Sequence, residues 1–350
     1  MTELYKKCEE CGRYVFHTKL EAHIKLHSTN QYKPVKINNQ LFVVIRNALE
    51  ALHGDQTKTK ERSYYLCDSL EHQYQGLEQS CGFRNIQMAI SNLLTNFSVV
   101  KDTIPSVTTI EKMIEAAWSK GFDVEGGTEI YNNKLVGLRK WIGATECSTF
   151  FNYLGIKNQI YDFDGTKHEN ILLHLYEFVW DYFQNCYESK KKTENVPPLY
   201  LQYSSHSLTI IGIEKIGNKA SDYNLIVYNS LKETNYLIRS ASQLYLDPFR
   251  KSMDFLGTIK QFQIVQLYST PWTQEEREKS KIISSKLVPP DENSEESESE
   301  SEEEKEEEEE KEKENENEKE KEEEKENKKE QEEEDIENEK EENKINEEKN

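Results

Sequence analysis

No apolar run in the 350 residues of this chain approaches the roughly 20 that a membrane-spanning helix needs. The opening residues, MTELYKKCEECGR, are too polar for a secretory signal. Cysteine is sparse as well. Six thiols in a chain of this length build no disulfide framework, and two of them form a Cys-x-x-Cys pair, which points to a reducing compartment and a metal. These absences predict a soluble intracellular protein, with cytosol and nucleus both open.

The body of the chain also lacks the acidity that a net charge of −21 would lead one to expect of it. Residues 291–350 hold 34 Asp and Glu against 11 Lys, a balance of −23, so the first 290 residues carry +2. That tail has almost no aliphatic or aromatic side chains and cannot bury enough area to offset its ordering entropy. Residues 290–350 are therefore read as a disordered acidic tail. Two roles fit such a charge run: an electrostatic tether to basic proteins, and a solubilising appendage with no specific partner.

What is present begins with four ordered metal ligands. The spacing Cys8-x2-Cys11-x11-His23-x3-His27 puts two thiolates on a turn and two imidazoles one helical turn apart, a set that closes a tetrahedron around zinc. A small ββα zinc finger is assigned to residues 1–30. One finger reads only about three base pairs, so DNA binding is not expected of it. Residues 31–62 read as a helix and linker. Leu41, Val44, Ile45, Ala48, Leu49 and Leu52 share a helix face there, and Gly54 is its stop.

Between residues 63 and 289 the pattern mixes both periods. TIEKMIEAAWSKGF and ENILLHLYEFVWDYFQ are helical, whereas KNQIYDF, PLYLQY, LTIIGIEK, NLIVYNS and FQIVQLYS are short, β-rich and bounded by turn residues. Helices come first and a mainly C-terminal sheet follows, which argues α+β rather than a doubly wound fold.

The chemistry centres on SCGFRNIQMAISNLL. Ile86, Ile90, Leu93 and Leu94 recur at helical spacing, so the helix starts at or just after Cys81. A thiol there meets free backbone N–H groups and the positive end of the helix, which lowers its pKa and supplies donors for an oxyanion. Gly82 leaves room for a substrate backbone. Cys67, Cys147 and Cys186 have no visible activator. A thiol nucleophile needs an imidazole base and a group to orient it. Of His53, His72, His168, His174 and His206, the last sits at a strand end in PLYLQYSSHSLTIIGIEK, and the next strand ends at Asn229. Cys on a helix start, then His and Asn on successive strand ends, is a Cys-His-Asn constellation, with Asp222 a second candidate for the third place.

Several blocks in order resemble the zinc-finger ubiquitin peptidase family, relatives of the proteases that act on ubiquitin-fold modifier 1. They are SCGFRNIQM, IPSVTTIEKMIEAAWSKGFD, NNKLVGLRKWIGATE, PPLYLQYSSHSLTIIGIE and FRKSMDFLGTIKQFQIVQL, and the resemblance runs from about Tyr64 to Pro289. It implies a papain-like cysteine peptidase domain over residues 63–289, with Cys81 as nucleophile and His206 as base. It also implies that Gln202 helps to build the active site as an oxyanion donor, and that Asp123, Trp141 and Glu146 line a channel for the substrate tail. The family usually has Asp where Asn229 stands, and Trp-Gly where Gln79-Ser80 stands. The expectation is a thiol-dependent isopeptidase that removes ubiquitin, acting on lysine-63-linked chains, with structural zinc in the finger and no cofactor in catalysis. A protease for ubiquitin-fold modifier 1 and a ubiquitin-binding adaptor are the alternatives. The finger lies outside the catalytic blocks, so its expected role is in gripping chains rather than in bond breaking.

Overall fold

The computed structural model describes residues 4–289, apart from 30, 34, 55–62, 99–101, 190–194, 218 and 220–221. The acidic tail expected over residues 290–350 lies outside the described residues, as does most of the loop GDQTKTKERS.

The N-terminal unit is a hairpin of β1 (Tyr5–Lys7) and β2 (Tyr14–Phe16) followed by α1 (Leu20–Ser28). Gly12, at φ +72, makes the turn between the strands. Then comes α2 (Gln40–His53), which buries Leu41, Phe42, Ile45, Ala48 and Leu49. It stops at Gly54, whose φ of +77 few other residues accept.

Beyond β3 (Tyr64–Leu66) lie α3 (Cys81–Leu93), β4 (Phe97–Ser98), α4 (Val107–Ser119), α5 (Val124–Glu129) and α6 (Ala144–Leu154). The helix α4 starts where the Ser106 hydroxyl accepts from the Thr109 N–H, a regular N-cap. The sheet is built from β5 (Ile156–Asp164), β6 (Leu199–Tyr203), β7 (His206–Lys215), β8 (Tyr223–Tyr228), β9 (Arg250–Ser252), β10 (Gln261–Pro271) and β11 (Ser285–Leu287). Between these come α7 (Ile171–Glu188), α8 (Thr234–Ser242), α9 (Met253–Leu256) and α10 (Gln274–Lys279).

The strand order is β11-β5-β10-β6-β7-β8-β9, with β3 pairing the distal half of β7, and every pairing but β11 with β5 is antiparallel. The central strand β7 is buried at eight consecutive positions, the mark of a strand covered on both faces. One face packs on α2, α7 and α8 through Leu201, Leu208, Tyr176, Val179 and Leu49. The other packs on α3, α4 and α6 through Tyr200, Val265, Ile86, Ile114 and Phe150. This is the expected α+β, papain-like arrangement, with the helix that begins at Cys81 laid on a mainly antiparallel sheet. No described helix is long and apolar enough to cross a membrane.

The finger is less separate than its place in the sequence leads one to expect. Its β2 pairs in parallel with β4, just past the end of α3, so hairpin and catalytic layer share a three-stranded sheet. Tyr5 is buried in the same core as α3 and donates its hydroxyl to Leu154 O at 2.8 Å. Arg13 donates to Phe97 O at 2.8 Å and pairs with Asp102 at 2.7 Å.

Candidate active site

Cys81 is the first residue of α3, with Ser80 at the N-cap position, so the thiol stands where helical N–H groups lack intrahelical partners. Burial pushes its pKa up. Hydrogen bonding with the His206 ring and with the side chain and backbone of Ser207 acts the other way, helped by the charge of the imidazole, and the thiol comes down to about 7. Cys147 differs: burial holds its thiol well above the usual range.

His206 opens β7 across a tight turn from β6. Tyr203 and His206 face each other in register with their rings 5.9 Å apart and edge-on, and Ser204 between them is left-handed at φ +47. Behind the pair lies a polar layer that the sequence reading passed over. Asn85, one turn along α3 from Cys81, is 1% exposed. Its amide donates to Ser207 Oγ at 2.8 Å and accepts from Thr209 Oγ1 at 2.9 Å. Tyr200 donates to Gln202 Oε1 at 2.9 Å. The signal was present: Ser207 and Thr209 alternate with Leu208 and Ile210, so both hydroxyls must face the helix that carries Cys81. A fully partnered layer fixes helix and strand in one register.

The remaining candidate residues are placed unevenly. Gln202 spends Nε2 on His206 O at 3.1 Å and, more weakly, on Ser204 O at 3.4 Å, so it braces the turn. The expected hydrogen bond between Asn229 and His206 is not made in this structure. Asn229 Oδ1 accepts from the Leu231 N–H at 3.0 Å, a local turn that competes for its amide. Among the described residues His206 Nε2 is buried and has no hydrogen-bond partner. The Asn229 carbonyl is held by His72 at 3.3 Å, a buried imidazole that desolvation pushes down to about 4 despite that bond.

Trp141 is half exposed and donates its indole N–H to Gln79 Oε1 at 3.0 Å, so Gln79 ties the segment before Cys81 to the loop that carries Trp141. The room at Gly82 is taken by the chain itself: a Cβ there would lie 2.8 Å from Ile142 O and 2.6 Å from Ile142 Cγ1, so glycine admits this loop and not a substrate backbone. Glu146 is 4% exposed and accepts from the Gly143 N–H at 2.6 Å, so it serves as a cap of α6 rather than as an exposed wall. Asp123 accepts from Thr149 Oγ1 at 3.3 Å. Burial raises both carboxyl pKa values.

A second site lies in the finger. The ligand atoms of Cys8, Cys11, His23 and His27 lie within 4.8 Å of one another, and two nitrogen and two sulfur donors so grouped suit a tetrahedral ion. These residues could hold a metal.

Residues 58–265 match Peptidase family C78. The chain belongs to this family. It is 31% identical over 261 residues to the human protein (Homo sapiens) named "Zinc finger-containing ubiquitin peptidase 1", covering 69% of this chain and 44% of that protein. The mouse protein (Mus musculus) of the same name is also 31% identical over 261 residues, with the same coverage. A protein of Schizosaccharomyces pombe named "Ubiquitin carboxyl-terminal hydrolase mug105" is 39% identical over 137 residues, 38% of this chain and 53% of that one. The chain thus spans less than half the length of the two zinc-finger-containing relatives. Among solved structures, "UfSP from C.elegans" matches at a TM-score of 0.39 and 13% identity, covering 63% of this chain and 36% of that one.

The candidate site carries a pH signature. A Cys81 pKa brought down to about 7 from the ordinary thiol value means that the native state holds fewer protons than the unfolded chain between these values. The thiolate form, and any stability it contributes, is present above that window and lost as pH falls through about 7. Turnover of a C-terminal amide substrate should therefore rise with pH through about 7. A rising limb near 8.5, the ordinary thiol value, would remove the activating role of His206 and Ser207.

Proposed function

We propose that this C78 member is a thiol isopeptidase that removes ubiquitin, acting on lysine-63-linked chains. The observation that carries the reading is the Cys81 thiol, held near neutrality at a helix start against His206. The thiolate attacks the carbonyl of the modifier's terminal glycine. A C–S bond forms as the C–N bond to the lysine breaks, and His206 passes a proton to the departing amine. Water then hydrolyses the thioester, with His206 as base. The developing oxyanion sits by the N–H groups opening α3. Gln202 has one amide proton only weakly engaged, at 3.4 Å to Ser204 O, and supplies it there. Trp141 and Asp123 border the path of the arginine-bearing tail, with Glu146 as a charge behind it.

Ubiquitin is preferred to ubiquitin-fold modifier 1 because the base in proteases for the latter is expected from an Asp-Pro-His at the strand end where this chain reads YNSLK. His206 must serve instead. The finger would hold a structural zinc through Cys8, Cys11, His23 and His27, and the enzyme would work in the cytosol or nucleus, where its thiols stay reduced. The tail is assigned a tether to basic proteins. Parallel assays with C-terminal fluorogenic amides of the two modifiers test the choice. Ubiquitin turnover should exceed the other by at least tenfold, and the reverse order, or turnover of neither, would sink it.

The third member of the triad is Asn229, rotated out of its local turn to meet the orphaned His206 Nε2, since leaving that buried group unpaired costs about 1–3 kcal/mol. Asn229→Asp should preserve or raise kcat by supplying a charge, and Asn229→Ala should lower it by about tenfold. Wild-type turnover in Asn229→Ala would move the orienting role to another group.

A further inference from the structure

Four polar side chains stand in one row across the sheet. Ser207 faces Gln202, Gln202 faces Gln263, and Gln263 faces Asp162 in the ladders of β7, β6, β10 and β5. The row starts beside the thiol, which Ser207 contacts, and runs outward across three strand spacings, about 14 Å, the reach of four extended residues. Its outer part floors a cavity of about 450 Å³ formed by the ends of β5, β10 and β6, with Tyr203 and Ser204 on the side of the candidate nucleophile. Asp162 and Asp164 bring two carboxylates to this cavity and Lys167 one cation. Among the described residues neither oxygen of Asp162 meets a cation: Oδ1 accepts from Gln263 Nε2 at 2.8 Å and Oδ2 from the Ser285 hydroxyl. Both donors to this half-buried carboxylate are neutral, so no described cation is paired with it.

We propose that this cavity is the subsite for the acceptor side of the scissile bond, and that it takes the acceptor residues flanking the modified lysine, favouring a basic one. This rests on the isopeptidase reading above. Gln202 separates the cavity from the thiol, so a chain leaving the nucleophile past Gln202 enters it, while the tail of the departing modifier lies by Trp141. Among the described residues Gln263 gives one amide N–H to Asp162 and keeps its second N–H and its Oε1 for a backbone lying across the strand ends. Asp162 then meets a Lys or Arg two to four residues from the modified lysine.

The test uses the full chain and three substrates: ubiquitin coumarin amide, which has no acceptor, and ubiquitin joined through an isopeptide bond to a lysine peptide flanked by Arg or by Glu. Wild-type kcat/KM should favour the Arg-flanked peptide by about fivefold, the size of one partly exposed ion pair. Asp162→Asn should bring that ratio close to one through KM while leaving coumarin amide hydrolysis within twofold, and Asp162→Lys should favour the Glu-flanked peptide. An unchanged ratio in Asp162→Asn, or a parallel loss on the coumarin amide, overturns the subsite. Wild-type enzyme inert to the coumarin amide overturns the isopeptidase reading first, and the subsite with it.

Discussion

Cys81→Ala should abolish turnover, by at least the 10⁴-fold expected for removing an attacking group, with no loss of folded protein. The substitution deletes one half-buried sulfur at a helix start where alanine is well tolerated, so the melting temperature should move by no more than a few degrees. His206→Ala should fall nearly as far for two reasons. The base is gone, and so is the hydrogen bond that brings the thiol to about 7. The double variant should be no slower than the worse single one, because the two side chains act as a unit. Steady-state hydrolysis with a fluorogenic ubiquitin amide measures all three, and circular dichroism checks the fold. Residual turnover above one part in a thousand in Cys81→Ala would require another nucleophile.

Stripping the zinc proposed for the finger should have the second largest effect, and it should reach the candidate active site. The finger shares a sheet with β4 and seats Tyr5, which is 5% exposed, and the partly buried Phe16 against the core of the catalytic layer. Two such side chains contribute on the order of 4 kcal/mol by burial. A domain of this size loses about 2–4 °C per kcal/mol, so the melting temperature should fall by roughly 10 °C on chelation and return with zinc. Because β4 follows α3 within four residues, reaction at Cys81 should slow in parallel. Differential scanning fluorimetry and zinc release reported by a chelating dye, run on the same samples, give readouts independent of activity. A chelated protein with unchanged melting and unchanged labelling would restore the finger to a free module for chain binding.

The sequence shows more of the chemistry than of its setting. Periodicity placed α2, α4 and α7 and the strands β5, β6, β7, β8 and β10, since each carries enough apolar residues at one spacing to declare its face. It passed over α5, α8 and the short β9 and β11, which bury few side chains and take their form from neighbours. Cys81 was legible because an amphipathic run begins at it, and His206 because a buried strand begins there. Asn85 was not singled out, because a buried amide in a helix declares nothing until its partners are known. Those partners, Ser207 and Thr209, lie more than 120 residues away. Gly82 shows the converse: a glycine beside a nucleophile reads as space for substrate, and only the fold reveals Ile142 in that space. The docking of the finger was equally hidden, for β4 is two residues long and carries no pattern of its own.

The central claim is that Cys81, paired with His206, attacks the end of ubiquitin. Labelling with a ubiquitin probe that carries an electrophile at its C-terminus, followed by peptide mapping of the adduct, tests it most directly. One adduct on Cys81, formed by wild type and slowed at least a hundredfold in His206→Ala, is the result predicted. An adduct on any other cysteine, or none on a folded wild-type protein, would contradict it.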